Sequence, residues 1–424
     1  MKARLYFYES AINRFSMAYL LFMLEKAGYR EKFDITIFKS DEELAGIFEK
    51  DEFARQASVF VYSFMTPLLP YVMRHVPAIR SAAARESREE DVVVIAGGPH
   101  VTGDPDSGEK LGFDLVFCGE GENVWPEFLE TAYQAGCSKN FRSEVLSRYG
   151  SRAIRDERPV DMNGYLPFGE IYGFVPPLEI MRGCYYNCRF CQTSTCKVRY
   201  RSMESVEMFF AEYRRRSYKR LCFICPSAFH YMSPNVRELR LDIIEEMLDL
   251  AGSKYDIKYI EYAIFPSEAR PETITERSAD IVKKYCSNNR ISVGAQSGDE
   301  DRIRKIGRGH LLDSVFNACE ILDSRGFVPV VDFIFGFPGE DEAEQLKTLA
   351  TIKKLHTNFR ARIQTHYFLP LPGTPLYNER SAPISPMAQK LLEKYSAGGI
   401  CTDWYKEGIR QSAEITAILD GLKN

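Results

Sequence analysis

The chain has 424 residues, 45% of them hydrophobic and 27% charged, a composition that fits a globular protein of two or three domains and excludes a disordered or collagen-like chain. Lys and Arg number 55 against 59 Asp and Glu, and this net charge of −4 argues against a protein built to coat nucleic acid. No apolar run approaches the roughly 20 residues of a membrane span and the first residues carry no signal-peptide core, so the expected compartment is the cytoplasm, where the eleven cysteines stay reduced and need a reading other than a disulfide framework.

Residues 1–135 alternate strand and helix signals. Strands are expected at Ala3–Tyr8, Phe33–Phe38, Ser58–Phe64, Val92–Ala96 and Leu115–Cys118, with helices at Arg14–Lys26, Asp41–Lys50, Tyr71–Arg85 and Trp125–Tyr133. This pattern predicts a parallel, doubly wound, Rossmann-like α/β domain, which binds ligands outside the carboxyl ends of its strands. Residues 136–175, irregular and rich in Arg, Pro and Gly, read as a linker with short local structure. Alternation resumes over residues 176–375. The strands there are Leu178–Arg182, Arg220–Cys225, Ile257–Phe265, Ile291–Gly294, Val328–Phe335 and Arg362–Phe368. The helices are Met203–Arg216, Val236–Leu250, Glu272–Tyr285, Leu311–Ser324 and Glu342–Leu355. Six strands with five intervening helices suit a partial (β/α)6 barrel, whose chemistry sits at the C-terminal strand ends. Residues 376–424 read as a helical C-terminal cap.

The strongest signal follows the first barrel strand: Cys184-Tyr185-Tyr186-Asn187-Cys188-Arg189-Phe190-Cys191. Three thiolates on one loop can hold a [4Fe–4S] cluster by three of its irons, leaving the fourth open. A zinc site is the other reading, with Cys196 or the pair Cys222 and Cys225 as the missing ligands. The loop position and the aromatic before the third cysteine favour the cluster. Tyr185, Tyr186, Phe229, His230 and Tyr231 lie just past predicted strand ends. Tyr185 and Tyr231 are candidate catalytic residues for proton or electron transfer, or for an open metal position, with packing as the alternative. Cys118, Cys286 and Cys319 read as core.

The spacing C-x3-C-x-aromatic-C after the first strand of a partial barrel resembles the radical S-adenosylmethionine (SAM) enzymes. In that family the open iron binds the methionine part of SAM, and reductive cleavage by an external electron donor yields a 5′-deoxyadenosyl radical. Ser267-Glu268-Ala269-Arg270, Gly294-Ala295-Gln296-Ser297-Gly298, the run ending Phe335-Gly336-Phe337-Pro338-Gly339-Glu340, and Leu371-Pro372-Gly373-Thr374-Pro375 look like its strand-end motifs. The resemblance implies that Ser267, Arg270 and Gln296 hold the polar part of SAM, Arg270 by a bidentate pair with its carboxylate. It implies that Gly336 and Pro338 shape the wall near the adenine.

In the N-terminal domain, Gly97-Gly98-Pro99-His100 and Gly119-Glu120-Gly121-Glu122 sit at consecutive strand ends, where glycine lets a ligand approach the backbone. Placed before such a cysteine loop, they resemble the cobalamin-binding members of the superfamily. The resemblance covers residues 1 to about 375 and implies cobalamin between the sheet's C-terminal edge and the barrel mouth. One departure stands out. The Asp-x-His-x-x-Gly that often supplies the lower cobalt ligand is replaced by Glu9-Ser10-Ala11-Ile12-Asn13-Arg14-Phe15, without histidine. His75 and His100 are alternatives, and Ser63-Phe64-Met65-Thr66 is the better candidate for the lower face.

The two cofactors together imply methyl transfer to an unactivated sp3 carbon. The compact layout resembles archaeal members that include the glutamine C-methyltransferase of methyl-coenzyme M reductase, so a protein or peptide substrate is expected. The rivals are methylation of a small molecule or lipid, cyclisation or rearrangement without methylation, a methylthiotransferase, and a non-catalytic zinc-binding module. The methylthiotransferase would need three further cysteines before the loop, where only Cys118 and Cys137 stand.

Overall fold

The computed structural model describes residues 2–136 and 138–423, so Cys137 lies outside the described residues. The N-terminal sheet comprises β1 (Arg4–Tyr8), β2 (Asp34–Phe38), β3 (Ser58–Ser63), β4 (Val92–Gly97), β5 (Leu115–Gly119) and β6 (Ala153–Asp156). All pairings are parallel, in the order β2-β1-β3-β4-β5-β6. β3 (SVFVYS) and β4 (VVVIAG) are buried nearly throughout, because helices cover both faces. Tyr6, Phe60, Val92 and Val94 fill one core, and Leu5, Val59, Val93 and Ile95 fill the other. On the second face the helix Arg14–Lys26 packs through Met17, Leu21 and Leu24. It is joined to the helix Gly121–Ala135 by Trp125 Nε1, which donates to the Leu20 carbonyl at 2.9 Å.

The sheet runs past residue 135. The segment expected as a linker supplies the helix Phe141–Ser147 and the edge strand β6. The buried Asp114 carboxylate anchors it: Arg142 donates through Nε at 2.9 Å and Nη2 at 2.8 Å, and the Val94 amide donates at 2.7 Å. This long-range ion pair has no local periodic pattern, and sequence periodicity therefore misses it.

The barrel comprises β7 (Leu178–Glu179), β8 (Met181–Arg182), β9 (Arg199–Tyr200), β10 (Arg220–Ile224), β11 (Tyr259–Glu261), β12 (Arg290–Gln296), β13 (Val328–Phe335) and β14 (Arg362–Tyr367). Two parallel sheets, β11-β10-β7 and β12-β13-β14, are linked by a parallel bridge between Ala269 and Val293. β8 and β9 pair antiparallel and frame the cysteine loop. Alternation puts Leu221, Phe223, Val293, Val331, Phe333 and Ile363 in the core beneath the helices. It leaves Glu179, Ser292, Gln296, Asp332 and His366 on the opposite face, towards the barrel's inside.

Several expected elements are shorter than their sequence pattern, among them the helix expected from Glu272, which begins at Glu276. β11 stops at Glu261, since the Tyr262 amide turns to Asn288 Oδ1 and Ala263 takes φ +56°. The helix expected from Val236 begins at Leu241, because Asn235 Oδ1 accepts from the amides of Arg237 and Glu238 and holds a turn there. The C-terminal segment forms the helices Pro386–Ala397 and Trp404–Lys423. The second crosses from one domain to the other. Tyr405 is buried in the barrel core, and Ile415 and Leu419 in the core of the N-terminal sheet.

Candidate active site between the two domains

The cysteine loop leaves β8 and is held at several points. The Arg189 amide donates to the Ile306 carbonyl at 3.0 Å, and the Arg189 carbonyl accepts from the Leu376 amide at 3.2 Å. Gln192 Nε2 donates to the Pro372 carbonyl at 2.8 Å and to the Pro99 carbonyl at 3.1 Å. Cys188 is buried, while Cys184 and Cys191 are half-buried. Burial holds the Cys184 thiol above its ordinary range, and the neighbouring Cys188 and Cys191 add to the effect. Binding iron as thiolates removes that cost. Among the described residues no three His, Cys, Asp or Glu side chains surround a point at single-ion distance. A [4Fe–4S] cubane takes each thiolate on a different iron, and three cysteines on one loop, partly or wholly buried, are a donor set of that chemistry. The thiols considered as completing a zinc site have other neighbours. Cys222 Sγ lies 3.2 Å from Glu261 Oε2, Cys225 Sγ lies 3.6 Å from Met181 Sδ, and Cys196 is exposed.

Two guanidinium groups converge on Cys188. Arg270 Nη1 lies 4.0 Å from its sulfur and Arg308 Nη1 3.7 Å. Arg270 is flat over Tyr186, 3.4 Å from the ring centroid. Its Nε donates to Glu272 Oε1 at 2.6 Å and its Nη2 to the Arg308 carbonyl. Nε and Nη2 are therefore engaged within the protein, and Nη1 faces the cluster loop. Arg308 Nη2 donates to the Gly294 carbonyl at 2.6 Å. Gly294 makes room for it, as a Cβ there would lie 2.5 Å from Arg308 Nη2. Ser267 Oγ and Arg308 Nε are buried without a partner, as are both ring nitrogens of His310. Burial, reinforced by Arg308, pushes His310 down to about 3. The orphaned Nε of Arg308, whose Nη1 lies beside Cys188, is a polar group suited to the charged methionine end of SAM. Gln296 ends β12 at φ +72°, just past a register slip. The Gly336 amide donates to Glu340 Oε2 at 2.6 Å at the end of β13.

A cavity of about 400 Å³ lies along the C-terminal edge of the N-terminal sheet. Ser63, Gly97, Gly98, Pro99, Gly119, Glu120 and Gly121 line it from the sheet, with Phe15, Tyr19, Leu20, Phe117 and Trp125 as apolar walls. Glu179, Arg182, Cys196 and Ile224 close it from the barrel. Gly98 takes φ +97°, and a Cβ there would lie 2.7 Å from the Phe64 amide nitrogen and 2.8 Å from its carbonyl oxygen. Only glycine lets the turn after β4 lie so close to the end of β3. An apolar, glycine-edged slot of this kind fits a corrinoid, and no histidine lines it.

Several expected site residues are placed otherwise. Phe64 and His100 sit behind the cavity wall, with ring centroids 5.1 Å apart. His100 is buried, its nitrogens 3.1 Å from Thr66 Oγ1 and 3.2 Å from Ser107 Oγ, and burial pushes it down to about 4. It is a core residue with a hydroxyl beside each ring nitrogen, and it does not line the cavity. His75 is likewise buried, 2.7 Å from Asp41. Glu120 touches the cavity, but its carboxylate is held by Arg199, Arg182 and the Val160 amide, and so it joins the domains. Tyr231 is buried and its hydroxyl donates to the Arg201 carbonyl at 2.7 Å, which makes it a packing residue. The Tyr185 hydroxyl donates to the Ser233 carbonyl at 2.7 Å and accepts from Tyr200 at 3.0 Å. Arg308, His310 and Gln192 were missed by the sequence reading. The glycines flanking Arg308, at φ +70° and +75°, were the available signal for the first two.

Residues 178–352 match the sequence model of the radical SAM superfamily. An uncharacterized methyltransferase of Pyrococcus horikoshii is 26% identical over 306 residues, which cover 68% of this chain and 63% of that protein. The chain thus spans less than two thirds of that relative. Among solved structures, the radical SAM methyltransferase TsrM of Kitasatospora setae, with cobalamin and a [4Fe–4S] cluster bound, superposes with a TM-score of 0.58. It is 16% identical, over 90% of this chain and 80% of TsrM. The cobalamin-dependent radical enzyme OxsB, with aqua-cobalamin and SAM bound, gives a TM-score of 0.58 at 14% identity, over 94% of this chain and 56% of OxsB. Residues 178–352 are a radical SAM domain, and the chain as a whole shares the fold of TsrM and OxsB.

Proposed function

We propose that this chain is a cobalamin-dependent radical SAM methyltransferase acting on an unactivated sp3 carbon. The observation that carries this reading is the shared wall of the two candidate cofactor sites. The cavity on the sheet edge is closed by barrel residues, and Gln192 of the cluster loop is bonded directly to the turn that lines it. When bound, the cluster and SAM supply a hydrogen-abstracting radical, and the corrinoid supplies the methyl group. The chain's own residues bind and orient. Cys184, Cys188 and Cys191 hold the cluster, while Ser267, Arg270 and Arg308 face the charged end of SAM. Ser63, Gly97, Gly98, Gly119 and Gly121 leave the sheet edge open to a flat macrocycle. Arg182, bonded to Glu179 and Glu122 at 2.7 Å each, closes the floor between the domains and excludes water. The methyltransferase relative of Pyrococcus horikoshii and the fold shared with TsrM support the reading.

The acceptor proposed is a glutamine side chain of a protein, methyl-coenzyme M reductase, and an external donor supplies the electron. Overall resemblance to archaeal members supports this finer assignment. The test is anaerobic reconstitution with iron, sulfide and cobalamin, followed by incubation with methyl-labelled SAM and a peptide bearing that glutamine. About four irons and one cobalt per chain, with label in the peptide, are expected. Iron without cobalt would sink methyl transfer, and label only in a small molecule or lipid would sink the glutamine assignment.

A further inference from the structure

The end of the barrel away from the cysteine loop carries positive charge that the chemistry above leaves unused. β10, β12 and β14 each begin with an arginine, Arg220, Arg290 and Arg362. The next residue in each, Leu221, Ile291 and Ile363, is buried in the core beneath the helices, so alternation turns all three arginines to the barrel's inner face. Tyr259, opposite Arg220 in the register of β10 and β11, begins β11 on the same face and is 57% exposed. Glu261 matches Arg220, accepting from its Nη2 at 2.8 Å. The cations outside the rim are matched as well, Lys258 by Asp256 and Arg360 by Asp323. Arg290 and Arg362 differ. Both are exposed, and among the described residues neither guanidinium has an ion pair or a hydrogen-bond partner. Ser292, Val330 and Arg362 lie abreast in the register of β12, β13 and β14, with Arg290 one inward step below Ser292. Strand spacing and rise put the two arginines about 12 Å apart at Cα, a gap that two such side chains span. Like charges so placed repel until an anion joins them. The inner face above them is not plugged. Cys222, Ile224, Gln364 and His366 all keep partial exposure, where a packed barrel interior buries its inward residues. Gly294, whose carbonyl holds Arg308 beside Cys188, marks the level of the cysteine loop. It stands four residues up β12 from Arg290, a rise of about 13 Å.

We infer that Arg290 and Arg362 form a receptor at the amino ends of the barrel strands for a carboxylate of the substrate. The inference rests on the methyl-transfer reading and adds a substrate class to it: a peptide segment with an acidic residue some way along the chain from the carbon that reacts. Guanidinium groups meet a carboxylate through paired N–H donors. An extended chain covers about 13 Å in about four residues, which is the rise from the arginines to the level of the cysteine loop.

The test uses the full chain with its cluster reconstituted. Isothermal titration compares two end-blocked peptides with a central glutamine, one bearing glutamate four residues away on either side and one bearing glutamine there. The acidic peptide is expected to bind at least tenfold tighter, by a margin that shrinks as salt is raised. Glutamates moved next to the central residue should lose the margin. Arg290→Gln and Arg362→Gln should each weaken the acidic peptide at least fivefold and leave the neutral one unchanged, with iron content confirming that the variants fold. Arg155→Gln makes the same change in net charge on the exposed side of β6 and should alter neither affinity. Equal binding of the two peptides, no binding of either, an unaltered affinity in the Arg290 and Arg362 variants, or an equal loss in Arg155→Gln would overturn the receptor. A margin kept by the moved glutamates would overturn the spacing. Inorganic phosphate binding tighter than the acidic peptide would assign the arginines to phosphate and overturn the peptide class. Absence of methyl transfer in a protein that binds the acidic peptide would instead sink the methyl-transfer reading and leave the receptor standing.

Discussion

Gln192 donates one hydrogen bond to the Pro99 carbonyl at 3.1 Å and another to the Pro372 carbonyl at 2.8 Å. A single carboxamide thus ties the loop that carries the three cysteines to the turn after β4 and to the loop after β14. Under the proposed function the chemistry depends on the separation of two cofactors, and this tie fixes the two protein segments proposed to hold them.

Gln192→Ala removes both bonds, each worth about 1 kcal/mol. Iron content and 5′-deoxyadenosine formation should survive. Methyl transfer should fall at least tenfold, because small misplacements between reacting groups cost about that much or more. The ratio of 5′-deoxyadenosine to methylated product reports it. An unchanged ratio would show that the tie does not set the geometry.

Gly98→Ala should be more damaging. The added methyl meets the Phe64 backbone at 2.7 and 2.8 Å, and the φ of +97° is itself unfavourable for alanine. Strain of this kind costs about 1–3 kcal/mol before any clash is counted. Chemical denaturation should show the loss, and cobalt content after reconstitution should drop while iron content holds. Full cobalt loading in Gly98→Ala would place the corrinoid elsewhere.

The two guanidinium groups beside Cys188 bear on the cluster's potential. Positive charge near a cluster favours the reduced state. Arg308→Met should therefore move the midpoint potential in the negative direction. A unit charge near 4 Å is worth about 1 kcal/mol even at the dielectric constant of water, equivalent to about 40 mV for one electron. Redox titration followed by electron paramagnetic resonance measures the shift. A potential unchanged from that of the unaltered protein would mean that solvent screens Arg308 from the cluster.

The parts of this site legible in the sequence are those carried by local spacing. Cys184, Cys188 and Cys191 announce themselves by interval, and Gly97, Gly98, Gly119 and Gly121 by their position after apolar runs. What stayed hidden depends on long-range pairing. The helix that leads into β6 is held to the sheet by an ion pair between Asp114 and Arg142, 28 residues apart, and β6 then pairs with β5. Arg308 reaches Cys188 across 120 residues and Gln192 reaches Pro372 across 180. His100 misled for the opposite reason. Its place after Pro99 suggested a ligand, yet a helical turn carries its ring behind the wall, where Thr66 and Ser107 meet both nitrogens.

The helix Trp404–Lys423 predicts a coupling between domains. Ile415 is fully buried against the N-terminal sheet although it follows the barrel in the chain, and Tyr405 is buried in the barrel. Ile415→Ala should cost about 2–5 kcal/mol, the usual range for a buried isoleucine. The loss should appear in the N-terminal domain. Hydrogen exchange resolved by peptide should show faster exchange in Leu69–Arg85, against which this end of the helix packs. An effect confined to the barrel would assign the helix to one domain alone.

Glu340 gives the chain a pH dependence of definite sign. Burial pushes its carboxyl up to about 7 from an ordinary 4.5, although the Gly336 amide donates to it. Between those values the folded state holds a proton that the unfolded state has released. Its contribution is therefore greatest below pH 4.5, falls as pH rises, and is gone above pH 7. The whole decline amounts to roughly 3 kcal/mol at most. Glu268, with the same direction of shift, adds to the same window. Glu340→Gln keeps a carbonyl oxygen for the Gly336 amide and removes the titration. The variant should match or trail the unaltered protein at pH 5 and exceed it at pH 8 in urea denaturation of the cluster-free chain. A decline between pH 5 and 7 as steep in Glu340→Gln as in the unaltered protein would show that Glu340 is ionised in the folded state.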